Sequence, residues 1–199
     1  MSSGNPETRT RILKAALNLL EASQGREVHM TDIARRAGIT RQALYLHFAT
    51  RAELLIAVTH HLDAVKGVDD RLVHSRTARI GLERLDAFIE AWGGYIPEIY
   101  AVARALLAMK DTDAAARQAW DDRMQAMREG CAAAIGALDR DGVLSPDHAP
   151  TEATDILWTL LSVRNWEQLT SDCGWTQERY IKRMKALARR ILVADARSS

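Results

Sequence analysis

Proline and glycine are scarce in this 199-residue chain, with four prolines and eleven glycines. So few breakers count against the short strands and frequent turns of a sandwich or barrel, and they favour helices. The two cysteines, Cys131 and Cys173, cannot form a disulfide framework and fit a reducing compartment. No apolar run approaches the roughly 18 residues of a membrane span. The polar start, Met1 to Thr10, lacks the apolar segment of a secretion signal. A soluble, cytoplasmic protein is expected. The chain also lacks a Gly-x-Ser-x-Gly elbow, a glycine-rich phosphate loop and a His-Glu-x-x-His pair, so the sequence supports neither an enzyme nor a cofactor.

A net charge of +1 argues against a polybasic nucleic-acid binder, but the charge is unevenly placed. Residues 1–66 carry nine Lys/Arg against six Asp/Glu, and the remainder eighteen against twenty, giving balances of +3 and −2. A modest basic bias at the N-terminal end suits phosphate contact.

Helix signals run through the chain. Asn5-Pro6-Glu7 supplies an N-cap, a proline for the first helical position and an acid near the positive dipole end. Ile12, Leu13, Ala16, Leu17 and Leu20 then recur at helical spacing, with Gly25 as a stop. Thr31 is expected to cap a short helix running to about Ala37. Gly38 permits the turn, and Thr40 caps a second short helix from Arg41 to about Phe48. Thr50-Arg51-Ala52-Glu53 reads as a capping box opening a long helix through Leu54, Leu55, Val58, Leu62 and Val65. Beyond Gly67 the pattern predicts helices over 78–95, stopped by Gly93-Gly94 or bent near Pro97, and over 98–110. Further helices are predicted over 113–139, with Gly130 and Gly136 as weak points, 151–170 and 177–195. Residues 141–150 form the clearest loop.

The segment from Met30 to Phe48 has the pattern of a helix-turn-helix, in which one helix braces and the next enters the major groove. Ala34, Gly38, Ile33, Ile39 and Leu44 fill the small, turning and apolar positions that such a motif requires. The second helix carries Thr, Arg, Gln, Tyr and His on its outward side, which a plain helical hairpin does not usually do. Arg41 could grip guanine bidentately and Gln42 could pair with adenine, or each could bind phosphate alone. Thr31 could reach the DNA backbone or serve only as a cap.

The run from Gly38 to Leu55, with Arg11–Leu17 and the Ile33-Ala34-x-x-Ala37-Gly38 step before it, resembles the signature of TetR-type transcriptional regulators. The resemblance is firm over the first third of the chain. A looser match covers Trp158–Trp175, which is similar to the penultimate helix of many such regulators. It implies an all-α fold: a three-helix DNA-binding domain, residues 1–50, joined to a larger helical ligand-binding and dimerisation domain, residues 51–199. It implies phosphate contacts from Tyr45 and His47, whose O–H and N–H groups are donors. It also implies one from Arg51, where the family usually has lysine, and base reading by Thr40, Arg41 and Gln42. The implied partners are a palindromic double-stranded operator, a second copy of the chain through the last two helices, and a small-molecule inducer that releases a repressor. A helix-turn-helix regulator without such a ligand, partner-controlled or an activator, is the alternative.

Other groups are weaker candidates. Trp92, Tyr95, Tyr100, Met109, Trp120, Met124, Met127 and Trp158, with Arg104, Arg164 and Asn165 set among them, could line a ligand pocket or be ordinary core; Trp166 belongs to the same aromatic set. His60-His61-x-Asp63 suggests a metal, but adjacent histidines diverge by about 100° on a helix, so a solvated face is favoured and no metal is expected. Asp121-Asp122-Arg123 and Lys182-Arg183 read as surface charge.

Overall fold

The computed structural model describes residues 5–23 and 26–194. Ten α-helices form among them: α1 (Pro6–Ser23), α2 (Met30–Arg36), α3 (Arg41–His47), α4 (Arg51–Lys66), α5 (Val68–Thr77), α6 (Gly81–Met109), α7 (Ala114–Arg140), α8 (Pro150–Leu160), α9 (Val163–Glu167) and α10 (Gln177–Leu192). A π-helical turn, Gln168–Asp172, follows α9. Among the described residues no strand forms, and one isolated antiparallel bridge joins Leu144 and Val193. The helices group into two compact units, one formed by Met1–Lys66 and Ile99–Met124, the other by Gly67–Glu98 and Gln125–Ser199.

In the first unit the expected periodicity produces the core. Ile12, Leu13, Ala16 and Leu20 of α1 are buried with Ile33 and Ala34 of α2, Leu44 and Phe48 from α3 and its cap, and Leu54, Leu55, Val58 and Leu62 of α4. Val102, Leu106, Met109, Ala116 and Ala119 complete this cluster. Each fully buried Leu or Ile stabilises the folded state by roughly 1.5–3 kcal/mol. Val65, placed by its spacing on the same series, instead stands 61% exposed one residue before α4 ends. Asn5 caps α1 through Oδ1, which accepts from the Glu7 N–H at 3.0 Å. The expected stop at Gly25 lies outside the described residues.

In the second unit three expectations are corrected. The first concerns α6, which runs unbroken through Gly93, Gly94 and Pro97. Pro97 has no N–H for the Gly93 carbonyl four residues earlier. Gln177 Nε2 donates to that carbonyl at 2.6 Å, and Gln177 Oε1 accepts from Trp166 Nε1 at 2.8 Å. The second concerns the predicted helix 151–170, which is three pieces. Ser162 leaves the helical conformation, and its Oγ accepts from the Asn165 N–H at 3.2 Å, capping α9. Trp92 Nε1 donates at 2.8 Å to the Leu161 carbonyl at the break. The third concerns α7, in which Gly130 marks a close approach rather than a weak point: a Cβ there would lie 2.5 Å from the Phe88 ring.

The last helix, α10, is capped by Thr176, whose Oγ1 accepts from the Arg179 N–H at 3.1 Å. Its inward stripe is Tyr180, Met184, Ala188 and Leu192, with Ile181 and Ile191 only half-buried. The helix ends at Leu192, earlier than expected, because Val193 turns extended and pairs with Leu144. The Ser145 N–H donates to the Leu192 carbonyl and the Ala194 N–H to the Val143 carbonyl, both at 2.9 Å. The predicted end at Asp195 lies outside the described residues.

Candidate nucleic-acid interface

The turn between α2 and α3 is built by backbone hydrogen bonds. The Ile39 N–H donates to the Ala34 carbonyl at 3.0 Å and the Gly38 N–H to the Arg35 carbonyl at 3.2 Å. This is the Schellman arrangement, in which the residue after the cap takes left-handed dihedrals. Gly38 does so, with φ of 66°, and no atom lies within 4 Å of where its Cβ would stand. Glycine is therefore required by conformation, not by space. Arg11 Nε donates to the Ala37 carbonyl at 2.8 Å and fastens α1 to the same corner.

Thr31 does not cap α2. The helix begins one residue earlier, at Met30, and its N-cap is His29, which makes no side-chain cap bond. Thr31 is therefore an exposed residue in the first helical turn, with its hydroxyl free of the capping duty that its position suggested. Thr40 does cap α3, as its Oγ1 accepts from the Ala43 N–H at 3.1 Å. Leu44 and Phe48 are fully buried and set the helix rotation. Arg41, Gln42 and Tyr45 consequently face solvent, and His47 is half-buried. The Arg41 guanidinium lies over the Tyr45 ring, 5.6 Å from its centroid, so the two act as one exposed surface. Leu46, overlooked in the sequence, is 82% exposed on the same helix. An aliphatic residue bounded by Tyr45 and His47 was the available signal.

Thr50 opens α4 by accepting from the Glu53 N–H at 3.1 Å. Glu53 reciprocates on the Ala49 N–H at 2.9 Å, one residue before the usual partner in a capping box. Arg51 does not join the exposed row. Its Nε donates to the Val28 carbonyl at 3.1 Å, its Nη1 pairs with Asp113, and its side chain is only 16% exposed.

The remaining candidates belong to both units. In the first unit, Met109 is core, Trp120 packs against that core, Tyr100 and Met124 are half-buried and Arg104 is exposed. In the second, Tyr95 and Met127 are buried, Trp92, Trp158 and Asn165 are half-buried, and Arg164 is exposed. Trp92 meets Tyr95 edge-on, with centroids 6.1 Å apart, and Asn165 Nδ2 donates to the Thr159 carbonyl at 2.6 Å. A cleft of about 730 Å³ in the first unit is lined by other residues, among them Arg9, Leu13, Thr50, Ile56 and His61. A smaller one of about 390 Å³ includes Met109, Thr112 and Asp113.

His60 and Asp63 face different partners. His60 Nε2 lies 3.1 Å from Asp122 Oδ2, while Asp63 pairs with Arg123. Asp122 and Arg123 thus face charged or polar partners, while Asp121 is exposed, as expected of surface charge. Burial, and then the Lys14 cation, hold the His61 imidazole below its ordinary value. Among the described residues, no group of three or more His, Cys, Asp or Glu could hold a metal, and no helix is long and apolar enough to cross a membrane. Cys131 is buried, with its thiol pushed up by desolvation, and Cys173 is exposed.

The family model described as bacterial regulatory proteins, tetR family, matches residues 12–58. Over 52 residues the chain is 46% identical to the HTH-type transcriptional regulator SrpR of Pseudomonas putida, covering 26% of this chain and 24% of SrpR. The chain thus matches about a quarter of that relative's length. A longer likeness, 28% over 161 residues, joins it to the HTH-type transcriptional regulator EthR of Mycobacterium tuberculosis, covering 77% of this chain and 71% of EthR. A Saccharomonospora viridis structure, described as a transcriptional regulator in complex with choline, superposes with a TM-score of 0.73 at 21% identity. It covers 96% of this chain and 100% of that one, and at such identity the likeness is one of fold. The turn at Gly38, the exposed row on α3 and the matched signature agree: residues 12–58 form the DNA-binding region of the tetR family of bacterial regulatory proteins, and the relatives this chain resembles are HTH-type transcriptional regulators.

Proposed function

We propose that this protein is a sequence-specific DNA-binding regulator, a repressor released from a palindromic operator by a small-molecule ligand. The observation that carries the reading is the outward row of Thr40, Arg41, Gln42 and Tyr45 on a helix whose other side is anchored by Leu44 and Phe48. Arg41 and Gln42 have the donor geometry to read guanine and adenine edges, with Thr40 beside them. Tyr45 and His47 hold phosphate and fix the register, and Thr31 adds a hydroxyl from the first turn of α2.

Function divides at Thr50: residues 1–50 read DNA, and residues 51–199 bind the ligand and dimerise. Two copies pair through the last helical segments, 151–170 and 177–195. Support comes from apolar surface that one chain leaves uncovered, with Ile156 and Leu160 half-buried on α8 and Leu187 39% exposed on α10. A two-fold dimer presents its heads about one helical turn of DNA apart, or a multiple of it. The ligand acts through α4, which begins three residues after Phe48 closes α3. It shifts the equilibrium between binding and non-binding arrangements only by its differential affinity for them. The S. viridis neighbour was solved with choline, so in that protein the fold admits a small organic ligand. In the second unit, Trp92 and Trp158, half-buried with Asn165, are the candidate lining for an inducer.

A binding selection with the purified full chain and fragmented genomic DNA at moderate salt tests the reading. A two-fold symmetric sequence should be enriched, and its affinity should fall steeply with salt. Selection of no preferred sequence would overturn the proposal. A small-molecule library that never weakens the operator complex would overturn the inducer.

A further inference from the structure

Arg51 opens α4, and its side chain reaches in two directions. Nε donates to the Val28 carbonyl, in the link that leads into α2, while Nη1 pairs with Asp113. Both side chains are largely buried, 16% exposed for Arg51 and 15% for Asp113. Nη2 is also buried and has no hydrogen-bond partner. A guanidinium placed to meet DNA phosphate would leave its donors in water; this one is turned inward at the cost of an unsatisfied donor.

Asp113 carries a second task. Its Oδ1 accepts from the N–H groups of Ala115 and Ala116 at 2.9 and 3.2 Å, which caps α7, and its Oδ2 is left for Arg51. One guanidinium and one carboxylate thus tie together the lead-in to α2, the start of α4 and the start of α7. The planar fork of arginine holds two fixed directions at once. Lysine, a single ammonium on a rotatable stem, cannot hold both. Position 51 lies three residues after Phe48, the cap of α3. A shift of Arg51 is therefore carried into the reading helix across one short link.

We propose that Arg51 and Asp113 are a positioning pair for DNA reading: they set the angle of α3, they transmit any movement of the start of α7 to it, and Arg51 is not one of the phosphate contacts. This rests on the DNA-reading function proposed above and adds its means of control. Side chains on the exposed row choose the sequence, and the pair decides whether that row is presented at the productive angle.

The test uses the full-length protein, its selected operator and random duplex DNA, over a series of salt concentrations. Asp113→Asn removes the charge while keeping the cap, because Asn caps as well as Asp. Arg51→Lys keeps the charge but not the fork, and Arg51→Gln removes both. Each should lower operator affinity roughly tenfold, in keeping with loss of one partner of a largely buried pair. Affinity for random DNA should stay within about twofold, with the salt slope unchanged. The Asp113→Asn/Arg51→Gln double variant should be no worse than the poorer single, since both remove one interaction. A merely structural role would lower the melting temperature without changing the ratio of specific to random binding in the folded protein. The opposite pattern overturns the proposal: Arg51→Gln cuts the salt slope by about one and weakens both DNAs alike, Arg51→Lys restores both, and Asp113→Asn is silent. Unchanged operator affinity in every variant overturns it as well. A wild-type protein with no sequence preference is a separate result, and it refutes the DNA-reading function itself.

Discussion

The side-chain amide of Gln177 donates to the backbone carbonyl of Gly93 at 2.6 Å, and this is the carbonyl that Pro97 deprives of its helical donor. The same amide accepts from Trp166 Nε1. Replacing Gln177 by Leu removes the donor to the Gly93 carbonyl and the acceptor at the Trp166 indole. It should cost about 1–3 kcal/mol in urea unfolding. Pro97→Ala returns an N–H to α6 and should recover part of that loss in the Gln177→Leu background. Equal effects of Pro97→Ala in the two backgrounds would dissociate the two features.

Gly38 and Gly130 should respond to alanine for different reasons. At Gly38 there is room for a Cβ, but φ is 66°, so Gly38→Ala costs about 1–2 kcal/mol of backbone strain. Gly38→Asn, which tolerates left-handed dihedrals, should be milder. At Gly130 the helix is ordinary, but the Cβ would stand 2.5 Å from Phe88 Cε2. Gly130→Ala should cost about 1–3 kcal/mol and be relieved by Phe88→Leu, which would do nothing for Gly38→Ala. Thermal unfolding of the five variants decides both points.

Tyr45→Ala should weaken operator and random DNA alike and lower the salt slope, if its phenol holds phosphate. Arg41→Ala and Gln42→Ala should instead change the sequence recovered by selection, at about 1–3 kcal/mol per lost base contact. Leu46 has no donor to offer, so Leu46→Ala should leave the salt slope intact. If it touches a thymine methyl, discrimination at one A·T position falls. Identical recovered sequences for the Arg41 and Gln42 variants would remove base reading from both.

His61 links stability to pH. Its folded value lies below the ordinary 6.5, first through burial and then through Lys14. The unfolded chain therefore takes up a proton more readily than the folded one below that pH. This contribution to stability is complete above about pH 6.5 and is lost as pH falls through the folded value. Urea unfolding between pH 5 and 7.5 should show a decline on the acid side that is shallower in His61→Gln. Parallel curves would assign the decline to other groups.

Local chemistry was legible in the sequence and distant partners were not. Asn5, Thr40 and Thr50 announce their helices because a cap bonds within three residues of itself. Leu44 and Phe48 announce the inward side of α3 because spacing alone fixes it. Thr31 misled because α2 starts at Met30 with no side-chain cap, an option that a good capping residue next door conceals. Pro97 and the Gly93-Gly94 step looked like an end to α6 because the group that rescues the helix, Gln177, lies 84 residues from Gly93. The inward turn of Arg51 was hidden for the same reason, with its carboxylate partner 62 residues away.

The grouping of the helices also bears on how the protein is made. The core that packs α1–α4 includes Val102, Leu106, Met109, Ala116 and Ala119, from the middle of the chain. During synthesis the first four helices leave the ribosome tens of residues before these members of their cluster exist. A nascent chain stalled near residue 66 should therefore expose apolar surface and attract holding chaperones, and one stalled well past residue 119 should not. The proposed DNA-reading residues are translated before the cluster members from Val102 to Ala119 that share their core.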